Sequence, residues 1–203
     1  MMMEMDFQSD RVVQFAYVYL SKIERQKRMK GLKIASKCGV ILLSTFISMN
    51  AHANWRVSSS TDEMTGETQN YAISDAVSTT RPMGFPYKDT KSWIGVGCDG
   101  NSEWVFIGFS NAPNISGDKN QNGWSLINTR FKWDNNIQNV SLSQTWGAKF
   151  IHFRGNDAPV VGKIQSSQKG LLELNWHGEG SVYFPYSFSG SSKAISTIRQ
   201  KCN

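Results

Sequence analysis

Residues 125–133 read SLINTRFKW. Along this stretch Thr129, Phe131 and Trp133 fall on one side of an extended chain and Arg130 and Lys132 on the other, the period of two that a strand with one buried and one wet face requires. Residues 171–176, LLELNW, repeat the pattern. There Leu172, Leu174 and Trp176 share a face opposite Leu171, Glu173 and Asn175, which makes this a central strand.

Further runs with alternation or β-branched and aromatic enrichment lie at 55–59, 71–78, 92–98, 104–110, 140–146, 149–153, 162–165 and 182–188. Clusters of Gly, Asn, Asp, Ser and Pro separate them. This spacing predicts an all-β fold, an antiparallel β-sandwich of about nine strands. Residues 62–66 and 111–123 (NAPNISGDKNQNG) read as loops, the second being the longest polar stretch and a natural place for function. The chain end differs. From Gly190 to Lys201 a Ser N-cap is followed by Ala194, Ile195 and Ile198 on one helical face, with Arg199 and Lys201 in the last turn, where the dipole favours cations. One short C-terminal helix is expected.

The formal charge of +6 invites a nucleic-acid reading. Its distribution argues against one. Residues 1–53 hold eight basic and four acidic residues, a net of +4, which leaves +2 for the other 150. Within the first part, Lys30, Lys33 and Lys37 precede a ten-residue apolar run, CGVILLSTFI (38–47), and then Ala51-His52-Ala53. A basic n-region, a short apolar run and an A-x-A triplet make a secretory signal peptide over 29–53, with cleavage after Ala53. Because Met29 can open that signal unaided, residues 1–28 are expected to be an upstream extension, and 54–203 a single mature domain. No stretch is apolar for the roughly 18–20 residues a membrane span needs. Cys38 stands before the apolar run, with Lys37 ahead of it, so it does not read as a lipidation site. The expected location is the periplasm of a bacterial cell, or the medium outside it.

Export leaves Cys98 and Cys202 in the mature chain. An even pair in an oxidising compartment is most simply one disulfide, the alternative being two free thiols.

Gly95-Val96-Gly97-Cys98-Asp99-Gly100 has the form G-x-G-x-x-G. A strand pattern follows it where a dinucleotide site requires a helix N-terminus, so a hairpin turn around Asp99-Gly100 is expected instead. His152 and His177 lie in no cluster with zinc spacing. No G-x-S-x-G elbow occurs, and Glu173 and Glu179, the carboxylates closest to a glycosidase pair, are separated by a predicted turn. The expectation is a non-enzymatic protein with no cofactor and no metal. Seven Trp then stand out as the surplus. Most should pack the core, but Trp124 beside the long loop, Trp146 before Gly147 and Trp176 before His177 are placed for a rim. With Asn114 and Asp118 in the loop, and with His177 and Glu179 in the following turn, they form the candidate binding set.

The start of the mature chain, Trp55-Arg56-Val57 followed by Asp62-Glu63-Met64-Thr65-Gly66, and its end, Phe188 to Ile195 followed by Arg199 and Cys202, resemble two families of small secreted bacterial β-sandwich proteins. These are the invasion-associated locus B proteins and the periplasmic accessory proteins of type VI secretion. The resemblance implies a non-enzymatic envelope module closed by a Cys98–Cys202 bridge, which acts through contacts with an envelope or secreted protein. The alternative expectation is a carbohydrate- or peptidoglycan-binding module, or one resembling a lysozyme inhibitor. Near-neutral mature charge speaks against a nucleic-acid partner.

Overall fold

A computed structural model describes residues 55–202 apart from 101, 117, 118, 122 and 146. The expected upstream extension 1–28 and signal peptide 29–53 lie outside the described residues, as do Asp118 and Trp146. All the elements below fall in one compact unit, Ala53–Asn203. No helix among the described residues is long and apolar enough to cross a membrane.

The elements in chain order are β1 (Trp55–Thr61), β2 (Thr68–Ser74), β3 (Val77–Ser78), β4 (Lys91–Cys98), β5 (Glu103–Phe109), β6 (Lys119–Gln121), β7 (Trp124–Trp133), β8 (Asn136–Thr145), β9 (Phe150–Phe153), α1 (Ala158–Ser166), β10 (Lys169–Trp176), β11 (Gly180–Ser187) and α2 (Ser191–Cys202). The fold is all-β and antiparallel with a C-terminal helix, as the alternation predicts. Among the described residues eleven strands form one sheet in the order β1-β2-β4-β5-β9-β8-β7-β10-β11, with β3 added to β4 and β6 to β7. Its two halves face each other. Phe109 of β5 meets Trp176 of β10 at 6.1 Å and Phe184 of β11 at 5.5 Å between ring centroids, so a single sheet supplies both walls of the core. Phe131, Leu172, Leu174 and Trp176 are fully buried on the inner side. Each such side chain stabilises the fold by roughly 1.5–3 kcal/mol.

An exposed sheet edge invites pairing with another chain. The free edge of β11 is capped along its length. The Ser181 carbonyl accepts from Arg81 Nη2, that of Tyr183 from the Thr80 N–H, and that of Ser187 from Trp55 Nε1. Pro185 lies between them and has no N–H to offer, which is how proline is tolerated on an edge.

The glycines of the G-x-G-x-x-G stretch have a packing role. Gly95 stands opposite Phe106, Gly97 opposite Trp104, and Gly108 opposite Trp93. A Cβ at Gly95 would come within 2.4 Å of the Phe106 ring, and one at Gly97 within 2.5 Å of Trp104. Each ring therefore lies over a bare backbone on the face away from the main core, where Tyr71 and Phe150 join in edge-on contacts. The hairpin turn falls where expected: the Ser102 N–H donates to Asp99 Oδ1, and Gly100 takes φ +90°.

One predicted strand is corrected. Residues 162–165 belong to helix α1, which follows the N-cap residue Asp157, has Pro in its first turn and buries Val161 and Ile164. The Ala158 N–H donates to Asn156 Oδ1 at its start. At its end, the Ser191 and Ser192 hydroxyls of α2 donate to the Ile164 and Gln165 carbonyls, groups a helix terminus leaves unsatisfied. Helix α2 buries Ala194, Ile195 and Ile198, the predicted face, and Cys202 at its end is joined to Cys98 of β4. The expected loop 111–123 contains two β-paired pieces, the bridge residue Ile115 and strand β6.

Candidate functional site

The loop 79–90 (TTRPMGFPYKDT) is fastened from several directions. The Thr80 N–H bonds β11. Met83 is buried in the core, and the Tyr87 ring packs edge-on against Trp176 at 5.1 Å. Glu179 holds the middle. Its Oε1 accepts the Gly84 N–H at 2.6 Å, its Oε2 pairs with Arg81 Nη1 at 3.3 Å, and its carbonyl accepts from Arg81 Nη2. A Cβ at Gly84 would lie 3.0 Å from Glu179 Oε1, so a larger residue there would make the carboxylate give by a few tenths of an ångström. Between these fixings Phe85 stands 97% exposed. A large aromatic held out by a loop fastened on both sides of it has less backbone entropy left to lose on contact.

Beside this loop the sheet has an opening. β8 pairs with all of β7 on one side. On the other, β10 pairs with residues Phe131, Lys132 and Trp133, and β6 with Trp124, Ser125 and Leu126. Among the described residues no strand pairs with 127–130 on that side, although β10 runs on to Trp176. The end of β10 is met instead by residues 114–116. Ile115 bridges Trp176, the Ser116 N–H donates to the Asn175 carbonyl at 2.7 Å, and the His177 N–H donates to the Asn114 carbonyl at 2.7 Å. A window results, forming a cleft of about 900 Å³.

Arg130 and Glu173 bridge it, and Thr129 Oγ1 donates to the Glu173 carbonyl at 2.5 Å. Arg130 Nη2 donates to Glu173 Oε1 at 2.8 Å while its Nε reaches Oε2, and the Tyr183 hydroxyl adds a bond of 3.2 Å. The hydrogen-bonded guanidinium, with help from Tyr183 and Ser181, holds the Glu173 carboxyl below its usual range. Hydrogen bonding alternates along a strand. Because Lys132 pairs with Leu171 and Leu126 with Lys119, the Asn128 and Arg130 backbones point into the window.

Among the sequence candidates, Asn114, Trp176, His177 and Glu179 come together at this end of the sheet. Their roles differ from those expected. Asn114 contributes its carbonyl. Trp176 is fully buried against Tyr87, Phe109 and Phe184 and is not on a rim. His177 is exposed, and Glu179 is a brace for the neighbouring loop. Trp124 is half-buried and opens β7. His152 is engaged with the Val105 backbone, and burial lowers its pKa. Glu173 and Glu179 each pair with their own arginine. Among the described residues no group of three His, Cys, Asp or Glu could hold a metal.

Family models, curated proteins and solved structures alike contain no match to this chain.

The sequence reading passed over Phe85. An available signal was Arg81-Pro82-Met83-Gly84-Phe85-Pro86, an aromatic between two prolines and next to a glycine. That pattern marks a constrained turn rather than a core strand.

Proposed function

We propose that this is an exported, disulfide-closed binding protein of the bacterial envelope that acts through contacts with another protein, in the manner the resemblance to invasion-associated locus B and type VI accessory proteins implies. The observation that carries the reading is Phe85, exposed to 97% on a loop braced by Glu179, Met83 and Tyr87. Aromatic anchors are the residue class that dominates protein interfaces, and rigid ones bind most economically. Export is supported by the n-region, the apolar run and the Ala51-His52-Ala53 triplet, and by the Cys98–Cys202 pairing, since disulfides persist in oxidising compartments.

The test is photo-crosslinking in living cells with a benzophenone amino acid in place of Phe85, and separately in place of Met64. Met64 is 94% exposed but sits on the β1–β2 turn. Position 85 should give a discrete protein adduct in the envelope fraction and position 64 should not. Adducts from neither position, or the same smear from both, would overturn the reading.

A further inference from the structure

We infer that the window between β7 and β10 is a saccharide-binding site, separate from the contact made through Phe85. Three features of its lining point there.

The first is height. Between the Leu172–Phe131 pair and the Ser116–Asn175 hydrogen bond lie residues 173–175 of β10, about 10 Å of strand, where the Glu173 carbonyl already accepts from Thr129 Oγ1 and the Asn175 carbonyl from the Ser116 N–H, so neither is open to a peptide strand. Strands most often run five or six residues. The opening is too short for that and suits a sugar ring.

The second is chemistry. Carboxamides of Asn128, Asn139 and Asn175 and hydroxyls of Ser116, Ser141 and Ser181 line the cleft. These groups both donate and accept, as sugar hydroxyls do. They are also oriented: the Ser141 hydroxyl donates to Asn128 Oδ1 at 2.9 Å, and among the described residues no acceptor meets Asn128 Nδ2, which can donate to a ligand. The Asn128 and Arg130 backbones add directed groups. Ile115, Leu126 and Val140 supply small apolar surfaces for the C–H face of a ring.

The third is charge. Among the described residues of the lining the one cation, Arg130, is paired with Glu173, so their charges balance and favour an uncharged polyol over a phosphate or carboxylate.

The test uses protein purified from cells expressing the full 203-residue chain, with amide shifts followed by NMR during titration with chitotetraose and maltotetraose. At least one should give saturable shifts at Asn128, Arg130 and Asn175 by about 10 mM, ten times a millimolar Kd. Asn128→Ala should weaken binding roughly tenfold, the effect of one lost hydrogen bond. Asn128 is exposed, so this variant should keep the fold, and Asn175→Ala provides a second measurement on the opposite wall. No shift with either sugar, shifts outside the window, or equal shifts with tetra-alanine would overturn the inference. None of these outcomes bears on the crosslink at position 85.

Discussion

The Gly84 N–H donates to Glu179 Oε1 at 2.6 Å, across a sequence separation of 95. Through that bond the turn after β10 fixes the height at which Phe85 leaves the surface. Replacing Glu179 with Ala removes the carboxylate from both Gly84 and Arg81. Hydrogen bonds to charged groups are worth about 1.5–3 kcal/mol, and partial exposure of Arg81 lowers that, so urea unfolding should show a loss of about 1–2 kcal/mol. Crosslinking from position 85 should fall more steeply than stability does, because the loop loses its brace while the core stays intact.

Two glycine substitutions should have opposite signs. Gly95→Ala places a Cβ at 2.4 Å from the Phe106 ring, and overpacking of this kind costs roughly 1–3 kcal/mol. Gly162 lies in the interior of α1 with nothing within 4 Å of a new Cβ. Gly162→Ala should stabilise the fold by about 0.5–1 kcal/mol through helix propensity. Thermal or urea midpoints of the two variants check both.

Burial pushes the Asp157 carboxyl up to about 6, against the opposing Val105 N–H, with the Glu103 charge adding to the rise. The folded state then holds this proton after the unfolded chain has released its own near pH about 4. Stability from this group is therefore full below that pH and declines as pH rises through 6. Asp157→Asn should leave stability unchanged near pH about 4 and raise it at pH 7 by about 1 kcal/mol, the figure being reduced for the partial exposure of the carboxyl. Parallel urea titrations at the two pH values measure this.

Cys98 and Cys202 close a loop with a sequence separation of 104. The chain-entropy model assigns such a crosslink about 4–5 kcal/mol, comparable to the stability of a small domain. Cys202→Ala, or reduction of the natural protein, should lower the unfolding midpoint markedly and free the end of α2 first. Equal midpoints with and without reductant would contradict this.

The parts of the fold legible in the sequence are those where one face of an element is apolar by itself. Strands β7 and β10 are of this kind, and so is α2 with Ala194, Ile195 and Ile198. Helix α1 was hidden because the β-branched Val160, Val161 and Ile164 and the glycine at 162 all lower helix propensity, and 162–165 was read as a strand. What secures it lies elsewhere in the chain, in the burial of Val161 and Ile164 and in hydroxyls from Ser191 and Ser192, 27 residues away. Trp176 shows two local signals in conflict. Its alternation with Leu172 and Leu174 placed it in the core, its position before a turn placed it on a rim, and packing followed the alternation. The brace on Phe85 and the window both arise from pairings between distant residues. No spacing within one segment encodes them.

The most direct test combines compartment, disulfide and contact in a single species. The protein carrying the photoreactive residue at position 85 is irradiated in cells, recovered from a periplasmic extract and weighed intact without reductant. The account predicts residues 54–203, lighter by the two hydrogens of the Cys98–Cys202 bond and joined to one other protein. A full-length, reduced, unattached chain found only in the cytosol would contradict it.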